Sequence, residues 1–203
     1  ATSPPADVLE DGLEADGSAD SLAGDALVDV VESPVDLSAP LIPGEVAAGI
    51  IEDGSALLHG PKAEGRVGDV KLYNAHAAFV VEGIRRASGY RYWGGNVVDL
   101  ATVDVDGNTQ PDRYGEYFFA FNLQVFAPET VEVVSDGSDG MARVVIEGKL
   151  EPFHFLDSFI GDLLLDEEPP PARARYIYSL GPSDDALRLD VTVINDAPKP
   201  AVF

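Results

Sequence analysis

Ala172-Arg-Ala-Arg-Tyr-Ile-Tyr-Ser179 and Leu187-Arg-Leu-Asp-Val-Thr-Val-Ile194 decide the fold. In each, small or apolar residues alternate with charged or polar ones, the period of two shown by a strand with one dry face and one wet face. Pro182-Ser-Asp-Asp185 lies between them and supplies residues that turns favour. The pair reads as an antiparallel hairpin laid over a hydrophobic layer.

Working outward, the same texture extends back to about Pro43. Thr130-Val-Glu-Val-Val134 and Ala142-Arg-Val-Val-Ile-Glu147 flank Ser135-Asp-Gly-Ser-Asp-Gly140, a second hairpin signal. Asp69-Val-Lys-Leu-Tyr-Asn74 and Ala77-Ala-Phe-Val-Val-Glu82 form a third around a tight turn at Asn74 to His76. Asn96 to Val103 is a further strand, and Glu116 to Phe126, apolar on both faces, reads as a central one. About eight or more strands joined by short turns predict an all-β chain, an antiparallel β-sandwich. Phe153 to Leu165 resists that pattern, reading as a short helix or a broken strand, after which Pro169 to Pro171 enforces extended chain.

The 203 residues carry a net charge of −23, and the charge is uneven. Residues 1–61 hold thirteen acids and no Lys or Arg, and residues 1–40 have no aromatic residue. Such a segment buries too little apolar surface to offset its chain entropy. Residues 1–42 are therefore expected to be a disordered acidic tether, with Leu22 to Val31 as a candidate docking helix, and residues 43–203 a single domain with an ample core. Nucleic acid and direct membrane insertion are disfavoured, because phosphate and anionic lipid recognition need Lys and Arg, and no apolar run approaches the ~20 residues of a membrane span. The chain has no cysteine, which removes disulfides and thiolate metal sites. A first residue of Ala rather than Met predicts a processed, exported protein, secreted, periplasmic or anchored at the cell surface.

In order along the chain, Gly68-Asp-Val-Lys-Leu-Tyr-Asn74, Ala77-Ala-Phe-Val-Val-Glu-Gly83, Trp93-Gly-Gly-Asn-Val-Val-Asp-Leu100, Arg113-Tyr-Gly-Glu116 and Val131 to Gly140 resemble a module of large secreted bacterial proteins. In those, a β-sandwich of the galactose-mutarotase-like kind precedes further β-domains and sometimes a metallohydrolase of the histidinol-phosphatase type. The resemblance spans residues 65 to about 195 and implies an exported accessory module, with other domains of a longer polypeptide or cell-surface carbohydrate as partners. Such hydrolases need several histidines, often as His-x-His. His59, His76 and His154 are far apart and in unrelated contexts, so the hydrolase itself is not expected within this chain.

Two constellations carry candidate chemistry. Asp104, Asp106 and Asn108 place oxygens at alternate positions, with Gly107 permitting a bend and Asp112 and Glu116 available to close a shell, a set that suits Ca2+. The match is partial, since an EF-hand wants Gly at its sixth position and Glu at its twelfth, which here are Thr109 and Gly115; a solvated turn explains the same residues. Tyr90, Tyr92 and Trp93 beside Gly94 and Gly95 form a candidate sugar-stacking platform, with Arg91 and Asn96 as polar handles. The alternative is that Trp93 plugs one end of the sandwich while the glycines turn the chain. No spacing links a nucleophile, base and acid, so binding or structural support is the expected role, with a carbohydrate-binding or mutarotase-like domain as the alternative.

Overall fold

A computed structural model of the chain describes residues 35–87, 92–115, 117–121, 124–153 and 171–200. The tether up to residue 34, the candidate helix within it, His154 and the remainder of the stretch up to Leu165 lie outside the described residues. What is described is all-β: nine strands in two antiparallel sheets. The first sheet has the order β1 (Val46–Ile50), β2 (Val70–Asn74), β3 (Ala77–Val81), β4 (Val97–Thr102). The second has the order β5 (Ala120–Phe121), β6 (Gln124–Asp136), β7 (Ala142–Pro152), β8 (Ala172–Leu180), β9 (Arg188–Asn195).

The sheets share one core. Val70, Leu72, Phe79 and Val81 of the first meet Phe126, Val144, Ile146, Tyr176 and Leu180 of the second. β8 alternates buried and open positions along its length, and its register with β9 runs unbroken from Ala172↔Asn195 to Ser179↔Arg188, as the alternation in both strands predicts. The β2–β3 turn is closed by Asn74, whose Oδ1 accepts the His76 and Ala77 N–H groups at 2.8 and 2.9 Å.

Two expectations are corrected. Residues 116–126 do not form one central strand: the chain makes the two-residue edge strand β5 and re-enters as β6, which pairs back onto it with Phe121 opposite Gln124. β6 then continues to Asp136, absorbing what reads as a separate strand at 130–134; Pro128 is accommodated where the register shifts, as Pro inside a sheet requires. β1, with the sequence Val-Ala-Ala-Gly-Ile, carries too few β-branched residues to announce itself.

The first sheet is also buried on its outer face, so β2 and β3 are closed at every position. A second cluster there gathers Ala47, Tyr73, Ala78 and Val80 under Leu37, Ile51 and Leu58. Two side chains of β2 pin the covering segment. Lys71 Nζ donates to the Leu37 carbonyl at 2.7 Å while lying 4.5 Å from the Tyr73 ring centre. The Tyr73 hydroxyl lies 3.1 and 3.0 Å from the Asp36 and Ala39 carbonyls. The packed chain thus reaches back to Leu37, ahead of the composition change at Pro43.

Burial depresses the Lys71 ammonium to about 8, with the Asp36 carboxylate opposing the shift. A folded-state value below the unfolded one means that the unfolded chain binds more protons between pH 8 and 10.5, so folding stability should rise across that window. Tyr73, pushed by burial to about 12, acts in the opposite sense above pH 10. After allowance for solvent screening the rise should be about 1 to 2 kcal/mol. Urea midpoints measured from pH 7 to 10 should increase for the native chain and stay flat for Lys71→Met; parallel profiles would refute this.

Candidate functional site

Residues 82–87 and 92–96 extend the β3–β4 hairpin beyond the sheet. Glu82 N–H donates to Asn96 O at 2.9 Å, Gly95 N–H to Glu82 O at 2.8 Å, and Gly94 N–H to Arg85 O at 3.1 Å. The two glycines are needed there. A Cβ on Gly94 would fall 1.9 Å from the Gly83 carbonyl oxygen, and Gly95, at φ +83°, lies where a Cβ would meet the Phe126 ring. They let two backbones and a core ring approach closely.

Of the aromatic platform, Tyr90 and Arg91 lie outside the described residues. Tyr92 and Trp93 are half-buried and meet edge to face, 4.9 Å apart at 85°, so these two rings do not make one flat stacking surface. The Arg86 guanidinium covers the Tyr92 ring at 4.2 Å. Trp93 Nε1 is buried with no hydrogen-bond partner among the described residues. Asn96 is buried rather than displayed, and its amide donates to Gly94 O at 3.2 Å.

The acidic loop is organised by Asp104. Its Oδ1 accepts the backbone N–H groups of Asp106 and Asn108 at 3.0 and 2.9 Å, and its Oδ2 accepts the Gln110 amide at 3.0 Å. Asp104, Asp106 and Asn108 share this turn. Asp112 does not join them: it is fully buried, with Oδ1 accepting Leu100 N–H at 3.1 Å and Tyr114 N–H at 2.9 Å and Oδ2 without a partner among the described residues. Glu116 lies outside the described residues. Among the described residues no three of His, Asp and Glu gather closely enough to hold a metal.

Two buried polar latches fix the loops at this end of the first sheet. Asp69, one residue before β2, accepts four donors: Gly83 N–H and Arg85 Nε on Oδ1, at 2.8 and 3.1 Å, and Arg66 N–H and Arg85 Nη2 on Oδ2, at 2.8 and 3.1 Å. Arg85 Nη1 reaches Glu82 Oε1 at 2.5 Å, with Glu82 wholly buried. Asp99 of β4 accepts Glu64 N–H at 2.7 Å and Gly65 N–H at 3.0 Å. Burial raises the Asp99 carboxyl above its ordinary value against the pull of those two N–H groups, and the nearby Asp112 and Asp69 carboxylates add to the rise. These groups hold loops over the first sheet.

A concave feature among the described residues lies elsewhere. On the side where β4 and β9 are edges, the sheets part to leave a cleft of about 480 Å³, within the range that seats small molecules or side chains. Phe79, Val97 and Leu100 form its wall on the first sheet; Tyr178, Leu187 and Leu189 form the opposite wall. Tyr114, Tyr117 and Phe119 stand at one end and Asp185 on the rim. Tyr117, 44% exposed, meets Phe119 edge to face at 5.0 Å, and Phe119 meets core Tyr176 at 6.1 Å, so a train of rings links solvent to the core. Asp185 is exposed at the rim, where a carboxylate favours a neutral or cationic occupant over an anionic one.

Sequence reasoning did not single out this cleft. Its lining comes from five separate segments, and the nearest local signal, the aromatic crowding from Tyr114 to Phe121, reads as a strand. Comparison with protein-family models, with curated proteins and with solved structures returns no match.

Proposed function

We propose that this chain is a non-catalytic binding module of an exported, multidomain protein, engaging another domain or a partner polypeptide through the cleft between β4 and β9. The observation that carries the reading is the lining itself. Largely apolar walls, three partly open aromatic rings and tyrosine hydroxyls give adhesion and orientation. The placement within a larger exported protein rests on the order of motifs that resembles the galactose-mutarotase-like module.

A second reading, carbohydrate binding, is favoured by the same rings, since an aromatic face next to hydroxyls suits a sugar. Compared with the Tyr92 and Trp93 pair, whose rings stand at right angles, the end of the cleft at Tyr117 and Phe119 is the better seat.

The test follows the aromatic ring signals of Tyr117 and Phe119 by NMR while soluble oligosaccharides and unstructured peptides are added separately. Peptides moving those signals would support the first reading and sugars the second, and Leu100→Trp, which fills the cleft, should abolish either response. Rings that stay still with both panels at millimolar concentration, or a response that survives Leu100→Trp, would overturn the cleft as the binding seat.

A further inference from the structure

We propose that the outer edge of β9 is a strand-addition site for an extended segment of a basic partner polypeptide. This deepens the reading above, because Leu189 of β9 and Leu187 just before it line the cleft wall.

The edge strands of the two sheets are β1, β4, β5 and β9, and an unpaired edge presents backbone donors and acceptors that another strand can take up. Three of the four are blunted. The β6–β7 turn lies against β1 so closely that a Cβ on Gly137 would fall 1.9 Å from the Val46 carbonyl oxygen. On β4, the Asp112 carboxylate takes the Leu100 N–H and the Gln110 N–H takes the Thr102 carbonyl at 2.8 Å. β5 is two residues long. β9 has eight residues, no proline, no lysine and an unbroken register, so among the described residues it is the long edge without protection.

The direction of its free groups follows from the ladder. Asp196 N–H donates to Pro171 O at 3.0 Å, extending the register in which Asn195 faces Ala172. Hydrogen-bonded pairs alternate in an antiparallel ladder, so residues 188, 190, 192 and 194 turn their N–H groups to β8. Leu189, Val191, Val193 and Asn195 turn theirs outward. Leu189, Val191 and Val193 also pack against the core while remaining partly open. An incoming strand would satisfy the outward row and cover those side chains, the mode in which main chain gives affinity and alternate side chains give specificity.

Charge selects the occupant. The chain has thirty-six acids and thirteen Lys or Arg. From Gly181 to Asn195 it has Asp184, Asp185 and Asp190 against Arg188 alone, and since Arg188 pairs with Asp190 at 2.9 Å the surplus there is the two acids Asp184 and Asp185. A second copy of so acidic a chain is repelled, whereas a strand bearing Lys or Arg at its solvent-facing positions is attracted.

The test uses the full chain and a peptide of alternating lysine and valine long enough to span β9, with a glutamate-for-lysine analogue as control. Amide hydrogen exchange at Leu189, Val191, Val193 and Asn195 should be fast in the free protein and slow by about tenfold or more at saturating lysine peptide. The analogue should bind at least about tenfold more weakly at low salt. Val193→Pro, which removes an outward N–H and leaves the ladder to β8 intact, should abolish the protection; the exchange data on the native chain stand even if that variant folds poorly. Amides already protected in the free monomer, a concentration-dependent dimer protecting them, or equal binding of both peptides would overturn the proposal. Peptide moving Tyr117 and Phe119 without protecting β9 would sink the strand addition alone; protection of β9 with still rings would uphold it and sink the cleft reading alone.

Discussion

Replacing Asp69 with alanine should lower the free energy of unfolding by about 3 kcal/mol, the lower end of what removing one partner of a buried ion pair costs. Asp69 is 1% exposed and accepts four donors from three residues. Its loss leaves the buried Gly83 N–H and the part-buried Arg66 N–H without their acceptor and takes from Arg85 its bidentate partner. The effect is held to the lower end because Arg85 keeps Glu82, lies 3.4 Å from the Glu64 carbonyl and is 20% exposed, so its head can turn toward water. Arg85→Ala should cost at least as much, since it removes the guanidinium that the buried carboxylates of Asp69 and Glu82 share. Asp69→Asn, which keeps the shape and one acceptor oxygen, should fall between. In a domain of this size 3 kcal/mol corresponds to a melting temperature lower by roughly 6 to 12 °C. Thermal and urea unfolding measure it, and a loss under about 1 kcal/mol would show that the latch is not buried as described.

The second sheet was legible because its outer face is wet. In β8 and β9, polar residues fall at every other position and the strand period is printed in the sequence. In the first sheet β2, β3 and β4 were legible as strands, and the layer over them was illegible. Lys71 and Tyr73 alternate with Val70 and Leu72 as if facing water, yet residues 36–65 cover them, and nothing local distinguishes a lysine on a wet face from one held by a carbonyl 34 residues away. The break between β5 and β6 was hidden because Tyr117 and Phe119, which line the cleft, look as much like strand residues as Phe121, which lies in β5. The acidic loop shows the same ambiguity in its chemistry. Asp104 has the residue type and spacing of a metal ligand, and its oxygens accept the loop's own N–H groups, because a short carboxylate beside a tight turn serves both purposes.

Tyr176 should separate the value of an aromatic ring from that of its hydroxyl. The ring is wholly buried between the sheets, stacked on Phe126 at 4.1 Å and 22°, with Phe119 and Tyr178 edge-on at 6.1 and 6.4 Å. Tyr176→Ala should cost about 3 to 5 kcal/mol through lost contact and the cavity left behind. The hydroxyl has no hydrogen-bond partner among the described residues, and a buried donor without an acceptor is a penalty. Tyr176→Phe should therefore leave stability unchanged or raise it by up to about 1 kcal/mol. At Tyr178 the same exchange should be harmful, by about 1 to 2 kcal/mol, because that hydroxyl donates to the buried Gly95 carbonyl at 2.9 Å and fixes the β3–β4 extension to the second sheet. Burial raises both phenols above their ordinary value. The stability each gives is whole below pH 10 and declines above it, as the unfolded chain ionises first. Chemical denaturation of Tyr176→Ala, Tyr176→Phe and Tyr178→Phe at pH 7, with the two phenylalanine variants repeated above pH 10, measures all three effects. The alkaline decline should be shallower in either phenylalanine variant than in the native chain, and a Tyr176→Phe variant destabilised like Tyr178→Phe would mean that the Tyr176 hydroxyl has a partner after all.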